Sequence, residues 1–168
     1  VHPARDAAGK DVVVTCDLAG RRVAVKVWRA DVGRIPVMLL DPDLPQNEAA
    51  DRHITRQLYG GDSQTRLQQE IILGIAGVRA LRAAGISPQV WHINEGHAAF
   101  QIVERVRELV VSGLVFDAAI EVVAANTVFT THTPVSAGHD VFDRELILNH
   151  FRTLIPELGI SEEAFLAL

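Results

Sequence analysis

Apolar positions recur first at every second residue and further along at every third or fourth. Val23, Val25 and Val27 alternate with Ala24 and Lys26, which predicts a strand with one buried face. The β-rich runs 11–18 and 21–28, joined by Ala19-Gly20, predict a hairpin with Gly20 in the turn. Residues 35–40 are almost continuously apolar and end at Asp41-Pro42, the pattern of a strand covered on both faces. Over residues 65–84, Leu67, Ile71, Ile75, Val78 and Leu81 follow helical spacing, and Gly85 stops the helix. Gly74 and Gly77 inside it cost about 1 kcal/mol each relative to alanine, which points to close packing against a neighbouring backbone.

The second half alternates more regularly. A strand is expected at 89–93, then a helix at 97–111 that buries Phe100, Val103, Val106 and Val110. A helix at 116–125 precedes a strand at 127–131. Asp143 can cap a helix reaching Phe151, and Ser161 can cap the last one. After the hairpin, this order predicts an α/β fold with a mostly parallel sheet and flanking helices. The long polar stretch 41–63 reads as a functional or mobile loop.

Length and composition narrow the function classes. The 168 residues suffice for one α/β domain, and 48% hydrophobic with 22% charged residues is ordinary for a globular chain. A net charge of −5 without any Lys/Arg cluster argues against nucleic acid and against an anionic membrane surface. The longest apolar stretch, 71–78, is far short of the ~20 residues that span a bilayer, and no signal peptide is visible. The single Cys16 excludes an internal disulfide and fits a reducing, cytoplasmic compartment; it reads as a structural strand residue. A start at Val1 without Met and an end inside a helical pattern suggest a piece of a longer polypeptide.

The chemistry-bearing residues gather where strands end. Asn94, Glu95 and His97 stand at one strand-to-helix junction, with Gly96 allowing close approach of a ligand. Carboxyl ends of strands are where open α/β sheets bind ligands. Plain capping fits equally: Asn94 as N-cap, Glu95 as a first-turn acid, His97 as a solvated residue. His132 marks a second junction of the same kind, before Thr133-Pro134, whereas His139 reads as an incidental turn residue. His92 reads as a buried, hydrogen-bonded strand residue. The histidine spacings, His92 to His97 and His132 to His139, do not match a helical zinc motif, so no metal site is expected. Gly60-Gly61-Asp62-Ser63 opens the long helix with Asp62 or Ser63 as N-cap; it lacks the lysine of a P-loop. Neither a GxSxG elbow nor a GxGxxG fingerprint occurs.

Taken in order, seven segments resemble the α-glucan (glycogen, starch or maltodextrin) phosphorylases, especially the shorter bacterial and archaeal type. They are Lys26-Val27-Trp28-Arg29-Ala30, Val37-Met38-Leu39-Leu40-Asp41-Pro42-Asp43, Leu58-Tyr59-Gly60-Gly61-Asp62, Arg66-Leu67-Gln68-Gln69-Glu70, Gly77-Val78-Arg79-Ala80-Leu81, the run from His92 to Phe100, and the run from Thr130 to Asp140. The resemblance implies a B-type glycosyltransferase fold of two Rossmann-like domains, with residues 1–168 forming part of the N-terminal one. It implies reversible phosphorolysis of an α-1,4-glucan by orthophosphate, releasing α-glucose 1-phosphate with retention. It implies pyridoxal phosphate on a lysine of the C-terminal domain, absent from this chain, so the isolated piece should be inactive. It leaves an oligomer open.

By resemblance, His132 meets the sugar: its ring reaches the 6-hydroxyl and its backbone carbonyl lies near the anomeric centre. Thr133 follows it among the substrate-binding residues. Asn94, Glu95 and His97 match the pocket wall beside the anomeric carbon, and Asp62 matches the segment that gates the cleft. Many family members carry Asp-Thr-His where this chain has Glu95-Gly96-His97. Sugar-nucleotide-dependent glucan synthases share the fold but tend to carry a His-Asp-Trp turn at the first junction. The same residues also suit a noncatalytic carbohydrate-binding piece or a Rossmann-like domain of unrelated function, since fold alone does not fix function.

Overall fold

The structure is a computed structural model that describes residues 1–58, 61–132 and 140–168. Among these, β1 (His2–Pro3), β2 (Val13–Leu18), β3 (Arg21–Val32) and β4 (Ile35–Asp41) form an antiparallel sheet centred on β3. Lys26 of β3 is opposite both Val13 and Asp41, so β2 and β4 lie on opposite edges of β3. The hairpin at Ala19-Gly20 forms as the sequence predicts. Both residues have positive φ, 54° and 81°, the backbone a two-residue turn needs to match strand twist, and Asp17 Oδ1 accepts from the Gly20 N–H at 2.8 Å.

The expectation of a mostly parallel sheet is corrected here. Residue 32 is opposite residue 35, and a two-residue link can only join antiparallel strands. Parallel pairing is confined to β5 (Trp91–Asn94) and β6 (Thr127–Thr130). Nor is β4 covered on both faces: Ile35, Val37 and Leu39 are exposed. Met38 and Leu40, on the other face, pack against the core, so among the described residues only one face of β4 is covered.

The long helix forms in three parts: α1 (Ser63–Ile71), a π turn (Ile72–Ala76) and α2 (Gly77–Ala83). Leu67, Ile71, Ile72, Ile75 and Ala76 bury one face against Val14, Cys16, Leu18, Val23, Val25 and Val27 of the sheet. Burial pushes the Cys16 thiol up to about 12, in keeping with a structural, unreactive residue. Helices α3 (Phe100–Val111) and α4 (Phe116–Ala125) connect β5 to β6, and α5 (Arg144–Phe151), α6 (Ile155–Leu158) and α7 (Glu162–Leu166) complete the core. Asp143 and Ser161 cap α5 and α7 as predicted. Of the four apolar residues expected to be buried along α3 only Val106 is fully so, while Phe100, Val103 and Val110 pack at its margin. The polar stretch is pinned to the sheet. Asn47 accepts from the Ala24 N–H at 2.9 Å and donates to the carbonyls of Ala24 and Pro42 at 2.7 Å, and buried Asp51 is held by Arg21.

Gly74 explains why a glycine sits mid-helix. A Cβ there would lie 2.8 Å from the Gln101 nitrogen and 2.9 Å from the Phe100 carbonyl carbon, both backbone atoms of α3. Gly77 has no such neighbour; its Cβ would meet only Leu40 Cδ1, at 3.8 Å. Gly74→Ala is therefore expected to destabilise the protein by about 2–3 kcal/mol, because overpacking outweighs the ~1 kcal/mol gain in helix propensity. Gly77→Ala is expected to be neutral or stabilising. Chemical denaturation of the two variants checks the contrast.

Candidate functional site

Two short strands bring the predicted junctions together. In the parallel register Asn94 is opposite Thr130, so the chain leaves both strands at the same end of the pair. Trp91 and Ile93 point into the core, whereas His92 and Asn94 point out. His92 is thus exposed rather than buried. It does hydrogen-bond, pairing through Nε2 with Thr130 Oγ1 at 2.7 Å. A buried Arg105 underpins the inner face: it donates to Thr127 Oγ1 at 2.8 Å and to Asn126 Oδ1, and lies 4.6 Å from the Trp91 ring centroid.

At the strand ends the His132 ring pairs through Nε2 with Asn94 Oδ1 at 2.9 Å. In the neutral ring, a hydrogen on Nε2 directed at that amide oxygen leaves Nδ1 as an acceptor. Glu95 is buried, yet its carboxylate accepts from the His132 backbone N–H at 2.5 Å and from the Thr131 hydroxyl at 3.2 Å. Plain capping does not describe this junction, for the three-ten turn Gly96–Ala98 has no side-chain cap.

His97 turns elsewhere. Its Nδ1 is 3.8 Å from Glu70 Oε1, and Glu70, His97 and Asp140 offer ligand atoms all within 4.8 Å of one another. Arg66 Nη2 donates to Asp140 at 2.5 Å. Burial, then the hydrogen bond and charge of Asp140, push the Glu70 carboxyl up to about 8. Burial also raises Asp140, but hydrogen bonds from Arg66 and Glu70 outweigh it and hold that carboxyl below its ordinary value. At neutral pH the pair therefore shares one proton, with Arg66 balancing the remaining charge. A pocket of about 170 Å³ opens beside Arg66, Glu70, Leu73 and His97. The sequence signal for this cluster was limited to the one-turn spacing of Arg66 and Glu70 on α1; Asp140 is 70 residues away from Glu70.

Glu70 sets a pH dependence. The folded state holds a proton that the unfolded state releases near 4.5, so stability falls as pH rises from about 5 towards 8. Glu70→Gln, neutral in both states, is expected to remove most of that fall; melting temperatures of both forms between about pH 5 and pH 9 read the difference.

Asp62 joins neither cluster. It caps α1, accepting from the Thr65 N–H at 2.9 Å, with backbone and hydroxyl hydrogen bonds from Thr65 holding its carboxyl low. Thr133 and His139 lie outside the described residues.

A glycogen phosphorylase of Mycobacterium tuberculosis is 50% identical to this chain over 149 residues, covering 84% of the chain. The chain belongs to the α-glucan phosphorylase family. A maltodextrin phosphorylase of Thermococcus litoralis is 44% identical over 142 residues, and a glycogen phosphorylase of Aquifex aeolicus is 32% identical over 163 residues, or 97% of the chain. The chain spans only 17% of the Mycobacterium and Thermococcus phosphorylases and 24% of the Aquifex one. No family model matches the chain, and no solved structure matches it. Among the described residues no helix is long and apolar enough to cross a membrane.

The lysine of a phosphorylase cofactor site has no counterpart at this site. The two lysines of the chain are Lys10 and Lys26, and Lys26 is bound to Asp11 at 3.0 Å over the Trp28 ring on the antiparallel sheet. Asn94, Glu95 and His132 offer hydrogen bonds and no Schiff-base nitrogen. They do not fit a pyridoxal phosphate.

Proposed function

We propose that this chain is part of the N-terminal Rossmann-like domain of a B-type glycosyltransferase that phosphorolyses α-1,4-glucan to α-glucose 1-phosphate. Its substrates are the glucan and orthophosphate, it works in the cytoplasm, and its pyridoxal phosphate is held outside residues 1–168. The observation that carries the reading is the 50% identity to a glycogen phosphorylase over most of the chain. The pairing of Asn94 with His132 at adjacent strand ends supports it.

In this reading the His132 Nδ1 accepts a sugar hydroxyl while Asn94 fixes the ring. The His132 carbonyl faces the anomeric centre, where a preorganised dipole favours developing positive charge. Thr133 belongs to the sugar site by resemblance alone, His97 lines the neighbouring pocket beside Glu70 and Arg66, and the segment capped by Asp62 borders the cleft. Charged acid catalysis is not asked of any of these groups.

The test is phosphate-dependent release of glucose 1-phosphate from maltoheptaose by the full-length protein, with residues 1–168 alone alongside. Release by the full-length protein and none by the piece is the expected result. No release from a folded protein that contains the cofactor would assign it another glucan or acceptor. No release and no cofactor would overturn phosphorolysis in favour of a glucan synthase or a noncatalytic carbohydrate-binding role.

A further inference from the structure

We infer that Glu95 is a positioning residue: its side chain replaces a backbone carbonyl in the last rung between β5 and β6 and so fixes the His132 peptide. Its effect on turnover rests on the phosphorolysis reading; its geometry does not. In the ladder, the Trp91 N–H donates to the Asn126 carbonyl and the Glu95 N–H to the Thr130 carbonyl. In that alternation a β5 residue that donates also accepts, from the N–H two residues further along β6. The partner due to the His132 N–H is therefore the Glu95 carbonyl. Glu95 instead departs from strand geometry, at φ 60° and ψ −168°, as the chain swings into the three-ten turn. Its Oε1 takes the His132 N–H at 2.5 Å, and its Oε2 takes the Thr131 hydroxyl at 3.2 Å.

The backbone at Glu95 lies in a region that glycine alone enters easily, at a cost of about 1–3 kcal/mol for other residues. A glycine would remove that strain but leave the His132 N–H without its acceptor. The carboxylate is buried and aimed at the β6 backbone, so it acts through His132 rather than as a ligand of the sugar. Asn94 fixes the His132 ring and Glu95 its peptide, so two adjacent residues orient both parts of His132.

The experiment compares Glu95→Gln, Glu95→Ala and Glu95→Gly in the full-length protein by hydrogen exchange at the His132 amide, thermal melting and steady-state phosphorolysis. The amide is expected to be protected in the wild type and to exchange about 100-fold faster in the alanine and glycine variants. In both, kcat should fall about 100-fold while the glucan KM stays within about threefold. Glu95→Gln keeps an oxygen for the His132 N–H and should stay within about tenfold of the wild-type kcat. Glu95→Gly should melt above Glu95→Ala, because only the alanine retains the backbone strain. An unprotected His132 amide in the wild type, or unchanged exchange in Glu95→Ala, overturns the inference whatever the activity. A raised glucan KM at unchanged kcat overturns it too, making Glu95 a sugar ligand. If the wild type releases no glucose 1-phosphate, phosphorolysis fails, and the exchange result still decides the role of Glu95.

Discussion

Glu104→Ala is expected to cost about 3–5 kcal/mol of folding stability, enough to unfold many domains at physiological temperature. Glu104 is 0% exposed, and two arginines close on it. Arg79 donates through Nε and Nη2 at 2.7 and 2.8 Å, and Arg107 through Nη2 and Nε at 2.7 and 2.9 Å. Burial alone would raise the Glu104 carboxyl, but the hydrogen bonds from Arg107 and Arg79 outweigh it and hold it ionised. Each arginine reaches one element further: Arg79 to the Thr15 carbonyl on β2 at 2.8 Å, and Arg107 to Glu157 on α6 at 2.8 Å. One carboxylate on α3 thus ties together α2, β2 and α6. Removing it leaves two guanidinium groups facing each other with their shared acceptor gone, a far larger loss than that of a surface ion pair. Urea unfolding of the full-length protein reads the effect. The triple variant Glu104→Leu with Arg79→Met and Arg107→Met should recover most of the loss, since apolar groups of similar volume replace buried ions at little cost. A loss below about 1 kcal/mol for Glu104→Ala would mean that water or other groups already satisfy the arginines.

The helix that carries Glu104 starts just after the three-ten turn that follows Glu95. Much of that framework was legible from local chemistry. The alternating valines and Ala19-Gly20 predict the hairpin, and Asp143 and Ser161 predict their helix starts, because turns and caps depend on a few neighbouring residues. Asn94 and His132 were legible as strand ends, and β5 and β6 bring them together. Strand direction was not legible from the apolar run 35–40, whose pattern suits a buried parallel strand; the two-residue link before it decides the matter. Gly74 illustrates a middle case, since the sequence implies a close neighbour without saying which. The Glu70–Asp140–Arg66 cluster was hidden because its members meet only through tertiary packing. The part played by Glu95 depends on a single φ angle, which no pattern of residue types encodes.

His132→Ala separates function from fold most sharply. His132 is exposed, and its ring pairs with Asn94, itself exposed. Truncation should therefore change folding stability by no more than about 0.5 kcal/mol. The expected loss in kcat/KM for phosphorolysis by the full-length protein is about 100-fold, near 2.7 kcal/mol, because a sugar hydroxyl loses a positioned acceptor. The backbone carbonyl and its Glu95 support survive the substitution, so activity should fall without vanishing. Asn94→Ala should lose less, about tenfold, since it removes only the group that orients the ring. The Asn94→Ala/His132→Ala double variant should be no worse than His132→Ala alone, because Asn94 then has nothing left to orient. Steady-state kinetics on glucan and phosphate, together with melting curves, checks all three. Wild-type turnover in a folded His132→Ala protein would remove His132 from the sugar site. A fully additive double variant would show instead that Asn94 contacts the sugar by itself.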